Sequence, residues 1–511
     1  MYHNFTMDLS VIIQQLENYS NDSLNKLENI VNHLKRIISE TQNNLTFREA
    51  LGQESRFWIV TTKLLDQTSE KLLQDELSVL PIVLELVRLF RNVVAAVLEN
   101  QNRALGHKWN EITEKVLWYS VLKFDFETDN KFVPILRFGS QALSNVITGN
   151  VDAQEHIWSD FMNRTESNDI LSTLVNCEDC VVLTSVLVLV YNCIYKNEFR
   201  SKTLIESHSG IRFLKLLLER ADTLLEEQSS QNFELIYALI SRLIDLGFFP
   251  LFYDSLNQPS IQSPTRHQII LLKILDLIFF SSSLEINETS ISLCTCIAKG
   301  FNSICPRAIY TMQQAVNNSV VSSTGCEDHM ENSHLLYNAL VLFLQCIGKL
   351  SQGGRKMGEC LFQEGITASS ISLLFQADKT LPRMTNATTL VTQTHQQASS
   401  EFKFIKRDIV RIIGNMAYEN KIVQDEVREL GGIPLILNQC NIDDNNPYIR
   451  EYAIFALRNL LINNPENQEL VEQLTPIETV QHPALQDIGI MTELGQDGKI
   501  KFSIESKNGR K

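Results

Sequence analysis

The sequence is short of the residues that divide a chain into pieces. Gly occurs 20 times and Pro 12 times in 511 residues, about 4% and 2% against roughly 7% and 5% in average proteins. That length would hold three or four domains of about 150 residues each. Independent domains on flexible linkers need more of both residues, and so do all-β folds with their many turns. Positive charge is short as well: 45 Lys and Arg face 60 Asp and Glu, a formal net charge of −15. A general nucleic-acid binder needs a basic surface to displace counterions, so nucleic acid is not an expected partner. Long apolar runs are missing too. The longest, Val181 to Ile194, contains Thr184, Ser185 and Asn192; it is too short for a membrane span and suits a buried helix. The opening Met1-Tyr2-His3-Asn4-Phe5 has neither the basic nor the apolar region of a secretory signal. The expected compartment is the cytoplasm.

What is present is helical in character. Hydrophobic residues make up 44% and charged residues 21% of the chain, which excludes wholesale disorder. Near the C-terminus the sequence repeats. Arg411-Ile412-Ile413-Gly414-Asn415-Met416-Ala417 aligns with Phe455-Ala456-Leu457-Arg458-Asn459-Leu460-Leu461 at an offset of 44 residues. The match continues through Asn420 and Asn464, Gln424 and Gln468, and Val427 and Val471. That period lies in the armadillo/HEAT range.

One unit can be read directly. Ile405, Ile409, Ile412, Ile413 and Met416 form an apolar stripe at helical spacing. Ile422, Val423, Val427 and Leu430 mark a second helix, stopped by Gly431-Gly432. Ile433-Pro434 opens a shorter third helix, and Asp443-Asp444-Asn445-Asn446-Pro447 breaks it. Asn446 is the expected N-cap, and Pro447 the expected N1, of a long helix from Tyr448 to Ile462. Three helices per unit predict an all-α, armadillo-like helical-repeat solenoid. Weaker copies of the long helix lie around Asn92, Asn145 and Asn192.

The expected organisation is repeats over 1–375, a flexible polar loop over 376–400, further repeats over 401–474, and a tail over 475–511. Ser322 to His334 reads as a second polar loop. In the tail, Gly495-Gln496-Asp497-Gly498 has turn chemistry between two strand-like runs, which suits a hairpin.

Catalytic and ligand motifs are few. Ser351-Gln352-Gly353-Gly354-Arg355-Lys356-Met357-Gly358 lacks phosphate-loop spacing and reads as a helix-terminating turn. Asp443-Asp444-Asn445-Asn446 fails the EF-hand pattern, since Tyr448 and Ile454 stand where Gly and Glu are required. Cys177-Glu178-Asp179-Cys180 is the one C-x-x-C pair and has no partner motif at zinc spacing. No catalytic residue, metal ligand or cofactor is expected. A deep polar pocket or a cluster of perturbed carboxylates would reopen the enzyme reading.

The recurrent Asn is the candidate functional feature. Asn92, Asn145, Asn192, Asn415 and Asn459 take the same place on successive long helices, with Arg88, Arg91, Arg137, Arg411 and Arg458 nearby. In armadillo proteins this helix lines a concave groove, where Asn can bond an extended peptide and Arg can fork onto acidic groups. The alternative is that each Asn bonds the neighbouring unit and holds the repeat geometry. Armadillo nuclear-import adaptors place Trp four residues before the Asn. Here those positions hold Arg88, Gln141, Val188, Arg411 and Phe455. Trp58, Trp109, Trp118 and Trp158 lie elsewhere, so recognition of basic signals is disfavoured.

The stretch from Ile405 to Leu474 carries Gln424-Asp425-Glu426-Val427, Gly432-Ile433-Pro434-Leu435-Ile436-Leu437 and Asp443-Asp444-Asn445-Asn446-Pro447-Tyr448-Ile449-Arg450-Glu451-Tyr452-Ala453-Ile454. It resembles the C-terminal domain of the ataxin-10 family. Ser144-Asn145-Val146-Ile147, with Gln154 and Trp158, is similar to an N-terminal element of that family. The tail, with Thr475-Pro476 and Gly498-Lys499, resembles its fungal or protist branch. The resemblance implies a cytoplasmic armadillo-like scaffold without catalysis, associated with cytokinesis. It also implies self-association and binding to signalling or glycosylation enzymes, so a homo-oligomer is among the expectations. A cargo or transport adaptor using the groove, or a regulatory enzyme subunit, is the alternative.

Overall fold

A computed structural model describes residues 9–21, 27–123, 131–225, 231–258, 263–281, 290–318, 327–381, 383–384, 403–474, 490–494 and 500–504. Apart from one hairpin, these residues form helices and the connections between them. The chain divides into two compact units, Met1–Ile278 and Phe279–Lys511.

In the first unit the helices stack in three columns. Leu27–Gln42, Leu80–Val93, Val133–Ile147, Cys180–Ile194 and Gln231–Asp245 form one, each packed on the next. A second column holds Leu9–Asn21, Ser55–Leu73, Trp109–Leu122, Ile170–Asn176 and His208–Leu225. Shorter helices, Leu45–Gln53, Leu98–Gly106, Val151–Met162, Glu198–Glu206 and Phe249–Ser255, form the third. This is the three-helix repeat that the period predicts, with each unit touching its neighbours.

The core follows from the apolar stripes. Val79, Val83, Val87, Val116, Phe132 and Ile135 form one buried cluster where three helices meet. Trp58 and Trp109 meet edge-on with ring centroids 6.1 Å apart, and Phe90 lies 5.2 Å from Trp109. Trp58 donates to Gly52 O at 2.8 Å and Trp109 to Thr62 Oγ1 at 2.8 Å. These tryptophans serve packing. The apolar run from Val181 falls in the Cys180–Ile194 helix, which is largely buried.

In the second unit the long-helix column is Glu327–Leu350, Ile405–Met416 and Ile449–Leu461. The short helices are Arg355–Gln363, Lys421–Glu429 and Pro465–Gln473. Ser290–Asn318 is a helix of 29 residues with Pro306 inside it, packed on Glu327–Leu350 and Ile366–Thr380. Gly431 is left-handed, with φ of 71°, and ends Lys421–Glu429. Gly432 opens the Gly432–Asn438 helix, and a Cβ there would meet Ile371 Cδ1 at 2.5 Å.

Three local expectations need revision or placement. The polar stretch from Ser322 to His334 is helical from Glu327 onward, and 322–326 lies outside the described residues. Of 376–400, residues 376–380 complete the Ile366–Thr380 helix, and 385–400 lies outside the described residues. Asn446 does not cap the last long helix: Tyr448 does, in the left-handed region with φ of 63°. Asn446 instead accepts from Arg407 N at 3.2 Å and donates to Asp443 Oδ2 at 2.9 Å. Asp443 Oδ1 accepts from Met384 N and Asn445 N, and Phe404 N donates to Asn445 O at 3.0 Å. The Asp443–Asn446 loop thus ties together the backbone on both sides of 385–402. In the tail, Ile490–Leu494 and Ile500–Ile504 pair antiparallel with Ile490 opposite Ile504.

Candidate partner-binding surface

Each recurrent Asn sits near the C-terminal end of a long helix, and each donates to the preceding repeat. Asn92 Nδ2 reaches Thr41 Oγ1 at 3.2 Å and Ile38 O at 3.4 Å. Asn145 Nδ2 reaches Arg91 O at 3.0 Å, and Asn192 Nδ2 reaches Thr148 Oγ1 at 3.1 Å. In the second unit Asn415 Nδ2 reaches Ser351 Oγ at 2.9 Å, and Asn459 Nδ2 reaches Gly414 O at 2.9 Å. Asn92 and Asn459 are buried. The geometry is that of a stitch between neighbouring repeats.

A second ladder runs the other way. Gln101 Nε2 donates to Asn145 O at 2.9 Å and Thr148 O at 3.1 Å. Gln424 Nε2 donates to Asn459 O at 2.8 Å. Helix C-termini leave carbonyls without intrahelical partners, and these Gln side chains serve them from the repeat before. Asn ties five of the long helices back, and at two of them a Gln of the repeat before ties on from the other side. The alignment of Gln424 with Gln468 marked the position, and Gln468 serves Leu461 O of its own repeat at 2.8 Å. In the first unit, Arg200 serves the end of Cys180–Ile194 from within its own repeat, donating to Cys193 O at 2.6 Å, and reaches back to Gln154 Oε1 at 2.9 Å.

The arginines divide. Arg411 pairs with buried Asp408 at 3.5 Å and lies against Gly348, where a Cβ would meet its Nη2 at 2.3 Å. Arg137 pairs with Asp179 at 2.7 Å. Arg458 is exposed and makes no ion pair among the described residues. The helix Ile449–Leu461 therefore presents Glu451, Phe455 and Arg458 along one exposed stripe. The sequence-predicted residues do not converge on one pocket: they recur along two columns, with Asn92, Asn145 and Asn192 in one unit and Arg411, Asn415, Arg458 and Asn459 in the other.

The family described as "Spinocerebellar ataxia type 10 protein domain" matches residues 405–503. The Ataxin-10 homolog of Schizosaccharomyces pombe is 26% identical over 388 residues, 70% of this chain and 81% of that one. The chain is similar to the ataxin-10 family over most of its length. The Ataxin-10 homolog of Dictyostelium discoideum is 44% identical over 108 residues, 21% of this chain. That match spans only 18% of the Dictyostelium protein's length. A solved structure described as the crystal complex of SYS-1/POP-1 covers 90% of this chain and 77% of that one, at 9% identity and a TM-score of 0.38. The ataxin-10 match encloses Asn415, the Asn459 stitch, the Asp443–Asn446 loop and all of the hairpin but Ile504.

A cavity of about 610 Å³ lies in the first unit between Trp109–Leu122 and Val151–Met162. Glu111, Glu114, Lys115, Trp118, His156, Asp160 and Arg164 line it. Burial raises the Glu114 carboxyl to about 7 even though Arg164 lies 2.7 Å away. Arg164 also pairs with Asp160, and its carbonyl accepts from Arg212 at 3.1 Å. Arg212 in turn holds Asp169, the N-cap of Ile170–Asn176. The perturbed carboxylate thus belongs to a chain of bonds that straps three repeats. Among the described residues no group of three or more His, Cys, Asp or Glu is arranged to hold a metal ion. Cys177 is buried, Cys180 is exposed, and both are free thiols. Among the same residues no single helix is long and apolar enough to cross a membrane.

Proposed function

We propose that this chain is a non-catalytic cytoplasmic scaffold that binds protein partners along the exposed stripes of its long-helix columns and serves in cell division. Similarity to the ataxin-10 family and a repeat architecture that presents extended surface support the reading. One observation carries it. The Asn and Gln ladders fix the spacing of successive long helices, while Glu451, Phe455 and Arg458 remain exposed on the last of them. Rigid spacing lowers the ordering cost of binding, and a few aromatic and Arg anchors then set affinity. The absence of Trp beside the Asn positions counts against a carrier of basic cargo.

Proximity labelling in synchronised cells tests this. Wild type is expected to label components of the division machinery as cells divide. The double variant Phe455→Ala, Arg458→Ala should lose part of that set while keeping its thermal stability. A labelling profile that is the same in dividing and resting cells would defeat the division role.

A further inference from the structure

One stripe on the first unit carries an unbalanced positive charge. Leu84, Arg88 and Arg91 lie at i, i+4 and i+7 on Leu80–Val93, and Phe138 and Gln141 stand beside them on Val133–Ile147. The Phe138 ring centroid is 5.1 Å from the Arg88 guanidinium carbon and 4.9 Å from that of Arg91. Arg88 is matched by Glu85, whose carboxylate accepts from Arg88 Nη1 at 2.9 and 3.1 Å. Arg91 has no carboxylate among the described residues. It is held by neutral acceptors: Asn92 Oδ1 takes its Nε at 3.0 Å and its Nη2 at 2.8 Å, and Gln141 Oε1 takes its Nη1 at 3.0 Å. Three of five guanidinium N–H groups are then used, and two remain. Half-burial and the neighbouring Arg88 both lower the proton affinity of Arg91. A bound anion would offset both by supplying the missing negative charge.

We propose that Arg91, flanked by Arg88 and Phe138, is a subsite for one carboxylate side chain of an acidic peptide segment in a protein partner. The proposal rests on the scaffold reading and adds the chemistry of what is bound. The charge balance selects the occupant. Glu85 cancels Arg88, and Asp179 cancels Arg137 on the next repeat, so about one positive charge is left for a singly charged group. The fixed guanidinium offers its remaining donors without further ordering, and the faces of Phe138 and Leu84 accept side-chain methylenes. A phosphate dianion would leave the site over-neutralised.

The test uses the full chain and a fluorescein-labelled octapeptide rich in Glu, followed by anisotropy at low salt. Binding is expected, should weaken with added salt, and should fall at least roughly tenfold in Arg91→Met. Arg91→Lys keeps the charge but not the fork, so it should bind at an intermediate level; it also guards against misfolding of the Met variant. Equal binding by wild type and both variants overturns the proposal. So does equal binding of a peptide with Gln for Glu. Much tighter binding of a phosphoserine peptide overturns the carboxylate assignment. Failure of these tests while division-dependent labelling persists removes the subsite and leaves the scaffold reading standing.

Discussion

Asn459 and Arg458 are adjacent in sequence and opposite in role. Asn459 is buried and its amide donates to Gly414 O, whereas Arg458 points to solvent without an ion pair among the described residues. Replacing Asn459 by Ala leaves a buried carbonyl unsatisfied, which costs about 1–3 kcal/mol. Arg458→Ala should cost less than about 0.5 kcal/mol. Urea unfolding of the two variants checks this, and equal losses would contradict the division of labour. Glu114 shows the same principle in titration. Its carboxyl ionises near 4.5 when unfolded and at about 7 when folded, so the folded chain binds the extra proton between those values. Its stabilising contribution is full below about pH 4.5 and is lost as pH rises through about 7, on the order of 3 kcal/mol for this group. Glu114→Gln should therefore flatten the stability profile over that window. Parallel profiles for wild type and variant would refute it. The recurrence of Asn was legible in the sequence, but a recurrent polar residue looks the same whether it faces a ligand or a neighbouring repeat. Only the positions of Gly414 O and Arg91 O decide between them.

At the scale of elements, the low Gly count has a local cause. Six of the long helices are joined to the next short helix through one left-handed residue followed by the N-cap. The left-handed residues are Ala96, Gly149, Lys196, Gly247, Glu419 and Asn463, with φ between 51° and 79°. In four of these joints the next residue is Asn150, Asn197, Asn420 or Asn464, whose side chain accepts from a backbone N–H three residues on. Two of the six joints use Gly, so the chain accepts strain of about 1–2 kcal/mol at the others, balanced by the cap and the packing of both helices. Ala96→Gly removes that strain at an exposed position but makes the unfolded chain more flexible. The expected net effect is a gain of up to about 1 kcal/mol. Gly149→Ala should lose a similar amount. Thermal melts of both variants check the pair, and the reverse order would show that the joint does not strain a side-chain-bearing residue. The sequence revealed the Gly431-Gly432 stop because Gly announces itself. It hid the other joints because Ala, Lys and Glu carry no such signal. The Asp443–Asn446 loop was misread for a related reason: its side chains fit a cap, but tertiary partners at Met384 and Arg407 claim them.

At the scale of the molecule, the 44-residue period predicted a stack of repeats, and both units are built that way. The stretch from 200 to 390 was hard to read because its helices keep the apolar stripe but not the Asn stitch. The Ser290–Asn318 helix is also longer than a repeat element and carries Pro306 within it. Stripes are set by burial and recur wherever a helix packs, whereas stitches need one residue at one place. A stack in which each repeat touches only its neighbours has a consequence for coupling. Asn92 and Asn459 lie in different units and share no partner. The losses caused by Asn92→Ala and Asn459→Ala should add to within about 0.5 kcal/mol in the double variant. Asn92 and Asn145 are different, because Asn145 donates to Arg91 O while Arg91 is bonded to Asn92 Oδ1. That pair should depart from additivity by about 0.5 kcal/mol or more. Amide hydrogen exchange adds the spatial reading: Asn459→Ala should raise exchange across 405–473 and leave 80–147 unchanged. Faster exchange spread evenly over both units would mean that the chain unfolds as one cooperative body, and the nearest-neighbour description would fail.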